Sequence, residues 1–372
     1  MGSGPSPNLL ENRGVEEVPR DVLRLCGGIG SPYSNKMLMY LRYRRIPHRF
    51  IMMNSKEEAG TKHARGPVLL PKILWPDGSV QNDSTFLIER LENEYKSRSA
   101  YPNHAGMKFL ALLLEDFADE FVTKCMFHYR WVYDPVYAGK GIVMQQAGMS
   151  SSPDEAVAKA GAGIQKRQVD RLGIVGSNPK TGPAIEHFYK AFLQAVDRHF
   201  ANGHPFLFGT RPSVADFAIL GQLHPMIFLD RETSHLTREI SGRVCAWYSY
   251  SADLSGLSVV DENNGWLDAN KPLPDTFKAL LQLVGKWYVP FFIANDIEFK
   301  RGNDTFECKL NDGKVAWEQP TFKYQSKCLD WICAQYNALD VASKTFVNKA
   351  LNGTGCMELF QYGNGAKITD FT

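Results

Sequence analysis

The chain has 372 residues, 44% hydrophobic, 12% aromatic and 22% charged, the composition of an ordinary packed protein of about two domains and not of a disordered or fibrous one. Forty-two Lys and Arg against 40 Asp and Glu leave a formal charge of +2, so no overall field gathers nucleic acid or anionic membrane. No apolar run reaches the roughly 20 residues that span a bilayer, and the start lacks a signal-peptide layout, which together predict an intracellular, cytoplasmic protein. Seven scattered cysteines without a C-x-x-C pair argue against a disulfide framework and against a thiol-ligated metal. Met1, Gly2 and Ser6 fit a loose acylation pattern, but the Gly/Pro-rich stretch to about residue 20 reads more simply as a flexible tail.

The first element is a strand at Val22–Cys26, closed by Gly27, Gly28 and Gly30. Ser31 and Pro32 then open a helix, Ser as N-cap and Pro at the first helical position, with Met37, Tyr40 and Leu41 at helical spacing. Arg49–Met53 is a second strand, followed by a polar stretch from Asn54 to Gly66. Lys72–Trp75 and Ser79–Gln81 form a hairpin around Pro76, Asp77 and Gly78, and a helix runs from Ser84 to about Tyr95. After Tyr101 and Pro102 the pattern becomes helical. Leu110, Leu113, Leu114, Phe117 and Phe121 line one face of a long helix, opposite a polar stripe of Asp116, Glu120 and Lys124. Ser150–Pro153 is a connection. Ile185, Phe188, Tyr189, Phe192 and Val196 mark another helix, and a third starts at Ser213, where Asp216 completes a capping box. From about Lys300 a hairpin (Phe306–Leu310 and Val315–Trp317, turning at Asn311–Gly313) precedes a helix over Tyr324–Leu339. The domain reading is a tail at 1–20, an α/β unit at 21–97, a helical unit at 105–300 and an extension at 301–372.

A strand, S-P-Y-S at a helix start, a strand entered through Leu70 and Pro71, and Asp83-Ser84 at the next helix start together resemble the cytosolic glutathione transferase family. Ser213 to Asp216 resemble its helix-capping box. The stretches Ser31–Pro47, Asp119–Trp131 (D-E-F-V-T-K-C-M-F-H-Y-R-W) and Pro320–Leu339 are most similar to a serine-type, bacterial-like branch with a long C-terminal extension. The resemblance implies a thioredoxin-like N-terminal domain and an all-helical C-terminal domain, a dimer, and a transferase or glutathione-dependent lyase that uses glutathione as co-substrate without a metal.

The residues support a matching chemistry. A thiol with a pKa near 8.5 is mostly protonated at pH 7, and a hydroxyl at a helix N-terminus, together with the helix dipole, favours its thiolate by roughly 0.3–1 kcal/mol, up to about 2 if partly buried. Ser31 is the first choice for that hydroxyl, with Ser34 and Tyr33 as alternates; a plain N-cap is the bland reading of Ser31. The resemblance implies a cis bond before Pro71, with the Leu70 backbone pairing with the tripeptide. Asp83 would meet its amino group, and Ser84 with the helix N-terminal amides its γ-glutamyl carboxylate. Arg65 is a weaker candidate for the glycine carboxylate. Phe127, His128, Tyr129 and Trp131 are candidates for an apolar pocket between the domains, although such a cluster is more often core. The alternative is a non-catalytic scaffold of the same fold that holds a hydrophobic ligand, or a protein partner through the extension. A dithiol reductase is disfavoured, because Ser31 and Ser34 stand where its two cysteines would be.

Overall fold

The computed structural model describes residues 22–53, 58, 69–146 and 148–363. Its N-terminal unit is a four-stranded sheet of β1 (Leu23–Gly27), β2 (His48–Met52), β3 (Lys72–Leu74) and β4 (Val80–Asn82), in the order β2-β1-β3-β4. β1 and β2 are parallel, joined by the crossover helix α1 (Pro32–Arg44); the β1–β3 and β3–β4 pairs are antiparallel. Helix α2 (Ser84–Glu94) completes the thioredoxin-like unit. Local chemistry explains α1. Ser31 caps it in an extended conformation, Pro32 pre-sets the first turn, and Arg45 in the left-handed region (φ 52°) closes it by donating to Arg42 and Leu41 carbonyls.

The rest is largely helical: α3 (Ala105–Phe117), α4 (Thr123–Tyr133), α5 (Pro135–Met144), α6 (Asp154–Val169), α7 (Gly182–Ala201), α8 (Val214–Phe228), α9 (Arg231–Ile240), α10 (Gly242–Ser251), α11 (Asp275–Leu283) and α12 (Val289–Lys300). Then come the hairpin of β5 (Thr305–Leu310) and β6 (Val315–Pro320), and the helices α13 (Lys323–Asn337), α14 (Val341–Leu351) and α15 (Met357–Gly363). One apolar core runs from Leu23 to Phe360. The α/β unit docks onto it through α1 and α8, whose approach depends on Gly221: a Cβ there would lie 2.6 Å from the Pro32 carbonyl oxygen. The capping box at Ser213 is present, with Asp216 accepting from the Ser213 backbone and hydroxyl at 2.8 and 2.7 Å and from Leu207 N–H at 2.9 Å. Among the described residues no helix is long and apolar enough to cross a membrane, and all seven cysteines are free.

The long helix differs from expectation in two ways. Between α3 and α4 it takes a π turn over Ala118–Val122, and a second π turn, Val284–Tyr288, links α11 to α12. Its polar stripe is not a solvent face. Tyr288 donates its hydroxyl to Asp116, Gln325 donates to Glu120 at 3.1 Å, and Lys124 donates to Gln319 at 3.1 Å and to the Val175 carbonyl at 3.0 Å. The C-terminal third of the chain covers the stripe, and its polar side chains satisfy a face that spacing alone assigns to water. The tail at 1–20, with Gly2, and Arg65 lie outside the described residues.

Candidate functional site

Strand register assembles the site. Cys26 pairs with Lys72 and Lys72 with Asn82, so the end of β1, the start of β3 and the end of β4 lie side by side. The chain segments leaving or entering at that edge carry Gly27 to Ser31, Leu70–Pro71 and Asp83–Ser84. Two of those segments begin helices, so the edge gathers two sets of helix N-terminal amides.

At α1, the Ser31 hydroxyl accepts from Ser34 N–H at 3.3 Å and the side chain is half-buried. That contact uses an acceptor site of the oxygen and leaves its proton free to donate. Ser34 is buried, and its hydroxyl accepts from Gly28 N–H at 3.2 Å, tying the preceding loop to the helix. Gly27 is needed for this closeness, since a Cβ there would lie 2.7 Å from Ser34 Oγ. Tyr33 is committed elsewhere: its hydroxyl donates to the Asp119 carbonyl at 2.8 Å and lies 3.3 Å from Thr123. Burial, then Glu120 and Asp119, hold that phenol well above its ordinary pKa, so it stays protonated. Tyr33 has given its proton away, whereas Ser31 and Ser34 each accept one backbone N–H and keep a proton to donate; of these two Ser31 is the less buried.

The Leu70–Pro71 peptide is cis. Leu70 is half-buried ahead of β3, while Lys72 is buried and paired with Glu58 at 3.0 Å. Asp83 adopts φ 76°, a region in which a non-glycine residue is strained, and caps α2 by accepting from Thr85 N–H at 3.2 Å. Its other carboxylate oxygen accepts from the Tyr324 hydroxyl at 2.7 Å. The buried Ser84 lies 3.4 Å from Lys36 Nζ.

Lys36, fully buried on α1, is the hub beneath the edge. Its ammonium lies 2.5 Å from both Glu115 and Asp119. Burial works against the charge, but Asp119 and Glu115 outweigh it and raise the pKa above that of an ordinary lysine. Asp119 is pushed up to about 7, first by burial and against the pull of Lys36, and its Oδ1 is buried without a partner. Glu120 is pushed up to about 8 by burial, then by Asp116 and Asp119. Folded protein therefore holds a proton on Glu120 that unfolded chain releases above its ordinary pKa of 4.5, and the parent loses stability as pH rises from about 4.5 to about 8. In Glu120→Gln this contribution vanishes. We expect the stability of that variant relative to parent to grow between pH 5 and pH 8, by up to about 1.4 kcal/mol per pH unit. Urea unfolding at both pH values checks this, and a difference that does not change with pH contradicts it.

Of the aromatic candidates, Tyr129 lines a small groove with Arg130 and Tyr133 that shares Tyr137, Ala138 and Asp230 with the groove beside Gly30. Tyr129 and Trp131 are buried and Phe127 is half-buried, with the Phe127 and Trp131 rings 6.3 Å apart. The buried His128 has both ring nitrogens engaged, with Ser177 at 2.8 Å and Glu186 at 3.3 Å, and burial lowers its pKa. The surface beside the Ser31 loop includes α5 and the end of α8: a Cβ at Gly30 would lie 3.0 Å from Ile142 and 3.7 Å from Leu229, and a small groove there is lined by Tyr137, Ala138, Gly141, Ile142, Leu229 and Asp230. Arg130 fixes that loop, donating to the Gly30 carbonyl at 3.0 Å while paired with Asp230 at 2.9 Å. Sequence reasoning passed over α5, although Asp134-Pro135 is a cap-and-first-turn signal, and over Lys36 and Tyr324, for which no local signal exists. Among the described residues no group of three or more His, Cys, Asp and Glu side chains is placed to hold a metal ion.

Residues 25–99 match the family model for the glutathione S-transferase N-terminal domain. That match covers the sheet from Leu25 onward, α1, α2 and every edge residue above from Gly27 to Ser84, so this unit is a thioredoxin-like domain of the glutathione S-transferase type. No curated protein sequence matches the chain. Among solved structures it is similar to a tau class glutathione S-transferase from mango (14% identity, 70% of this chain, 96% of that one, TM-score 0.37). It is also similar to a glutathione S-transferase of Ceriporiopsis subvermispora in complex with glutathione (16%, 65% and 99%, TM-score 0.41) and to one from Rhodospirillum rubrum (17%, 65% and 94%, TM-score 0.37).

Proposed function

We propose that this protein binds glutathione across the sheet edge and holds its sulfur as a thiolate for attack on an apolar electrophile. The observation that carries the reading is the register that brings the end of β1, the start of β3 and the end of β4 to one sheet edge, from which the segments with Ser31, Leu70–Pro71 and Asp83–Ser84 lead, within a glutathione S-transferase type domain. In this reading Ser31 and the α1 amides face the sulfur, the Leu70 backbone pairs with the cysteinyl residue, and Asp83 and Ser84 face the γ-glutamyl group. The thiol proton passes to solvent. The sulfur then forms its bond to the electrophilic atom while the leaving group departs with its electron pair. An electrophile beside Ile142 and Leu229 would lie on the side of the loop that carries Ser31, so we place the second substrate there and not among Phe127, His128, Tyr129 and Trp131.

Calorimetric titration of the full chain with reduced glutathione tests the reading. Saturable binding is expected, and Ser84→Ala is expected to weaken it about tenfold, the loss of a hydrogen bond to a charged group. Absence of binding up to about 10 mM, beyond the millimolar range that corresponds to only about 4 kcal/mol, overturns it.

A further inference from the structure

The C-terminal extension reaches the amine end of the proposed site. Helix α13 lies against α2 through the Trp331 ring, 4.7 Å from Phe86 and edge-on to it, and the Tyr324 ring sits 6.0 Å from Trp331. This packing, with the Gln325–Glu120 hydrogen bond, places the Tyr324 hydroxyl 2.7 Å from Asp83 Oδ2. Both residues are only partly buried.

Which chemistry the pair can recognise follows from proton counting. A tyrosine hydroxyl has one proton and two lone pairs, and this proton is given to Asp83. Burial, followed by Cys328 and Asp83, keeps the phenol protonated. What the pair offers a ligand is therefore acceptors only: the Tyr324 lone pairs and the remaining lone pairs of the Asp83 carboxylate. Such a pair rewards a cation with several N–H donors and has nothing to give an acylated or deaminated ligand.

We infer that Tyr324, contributed by the extension, is a specificity-determining residue that completes with Asp83 a two-acceptor site for the free α-ammonium group of a γ-glutamyl peptide; this rests on the glutathione reading given above. Tyr324 and Asp83 are 241 positions apart in sequence, so the extension is part of the binding site and not an appendage to it. The ammonium would bridge the phenolic oxygen and the carboxylate, while Ser84 and the α2 amides take the adjoining carboxylate.

The test is calorimetry on the full chain with two probes, reduced glutathione and glutathione acetylated on its α-amine. Parent protein is expected to bind the acetylated peptide at least about tenfold more weakly than glutathione. Tyr324→Phe, which keeps the ring contacts, is expected to weaken glutathione binding about tenfold and to narrow the gap between the probes. If parent binds glutathione and Tyr324→Phe binds it equally well, the inference fails while the glutathione reading stands. Tighter binding by Tyr324→Phe also overturns it, showing that the hydroxyl competes with the ligand for Asp83. If Tyr324→Phe does not fold, equal binding of the two probes by parent protein overturns the inference without any variant. If parent binds neither probe, the glutathione reading falls and the inference falls with it.

Discussion

Replacing Lys36 with methionine is expected to destabilise the protein by about 3–5 kcal/mol at pH 7.5, the cost typical of removing one partner from a buried ion pair. The ammonium is fully buried, lies 2.5 Å from both Glu115 and Asp119, and bridges α1 to the long helix of the C-terminal part. Methionine fills nearly the same volume, so the loss reports the charge and not a cavity. Without the cation the two carboxylates lack compensation, and the variant can recover part of the loss by protonating Asp119. The folded pKa of Asp119, already raised by burial, then rises further above the unfolded one, a contribution present at low pH and lost as pH rises, so the deficit should be smaller at pH 5 than at pH 7.5. Urea unfolding at both pH values checks the magnitude and its sign. A loss below about 1 kcal/mol at pH 7.5 would show that the network contributes no more than an exposed ion pair. Because Lys36 also lies 3.4 Å from Ser84 Oγ, folded Lys36→Met should bind glutathione more weakly as well.

Ser31→Ala is expected to lower turnover with an electrophilic substrate by roughly tenfold to a hundredfold while changing glutathione affinity by less than about threefold. The reason is where the hydroxyl acts. In the proposed site the tripeptide would be held mainly by its γ-glutamyl and backbone contacts, whereas Ser31 would donate to the sulfur, a bond that strengthens when the sulfur is charged. The helix N-terminus remains in the variant, so part of the thiolate stabilisation survives. Initial rates at saturating glutathione, beside a calorimetric Kd, separate the two effects. Equal turnover in variant and parent would remove Ser31 from the role and leave it a helix cap.

The parts of this architecture that were legible in the sequence are those written in short-range code. Ser31-Pro32 announces a helix start whatever it packs against, Leu70-Pro71 and Asp83-Ser84 bracket a short hairpin, and Ser213 with Asp216 forms a cap within four residues. What escaped depends on contacts between distant segments. The spacing of Asp116, Glu120 and Lys124 defines a polar face of a helix but carries no information on what covers it. The cover comes from Tyr288, Gln319 and Gln325, the last two 195 and 205 positions along the chain from their partners. Lys36 reads locally as an ordinary polar residue in S-N-K-M, and its importance appears only when α3 and the π turn lie against it. The helices from Arg231 to Lys300 were passed over: α9 reads R-E-T-S-H-L-T-R-E-I, rich in Thr, Ser and charge, and its helix is held by tertiary packing through buried Thr233 and Thr237. For the same reason nothing local in the sequence links Ile142 and Leu229 to the Ser31 loop, to which the fold brings them.

The most direct test of the thiolate claim is the pKa of the glutathione thiol when bound to the full chain, followed by ultraviolet thiolate absorbance from about pH 5 to about pH 10. The account predicts a value about one unit below the ordinary thiol value of about 8.5, moving back towards it in Ser31→Ala. A bound thiol that titrates at or above 8.5 in the parent protein would contradict it.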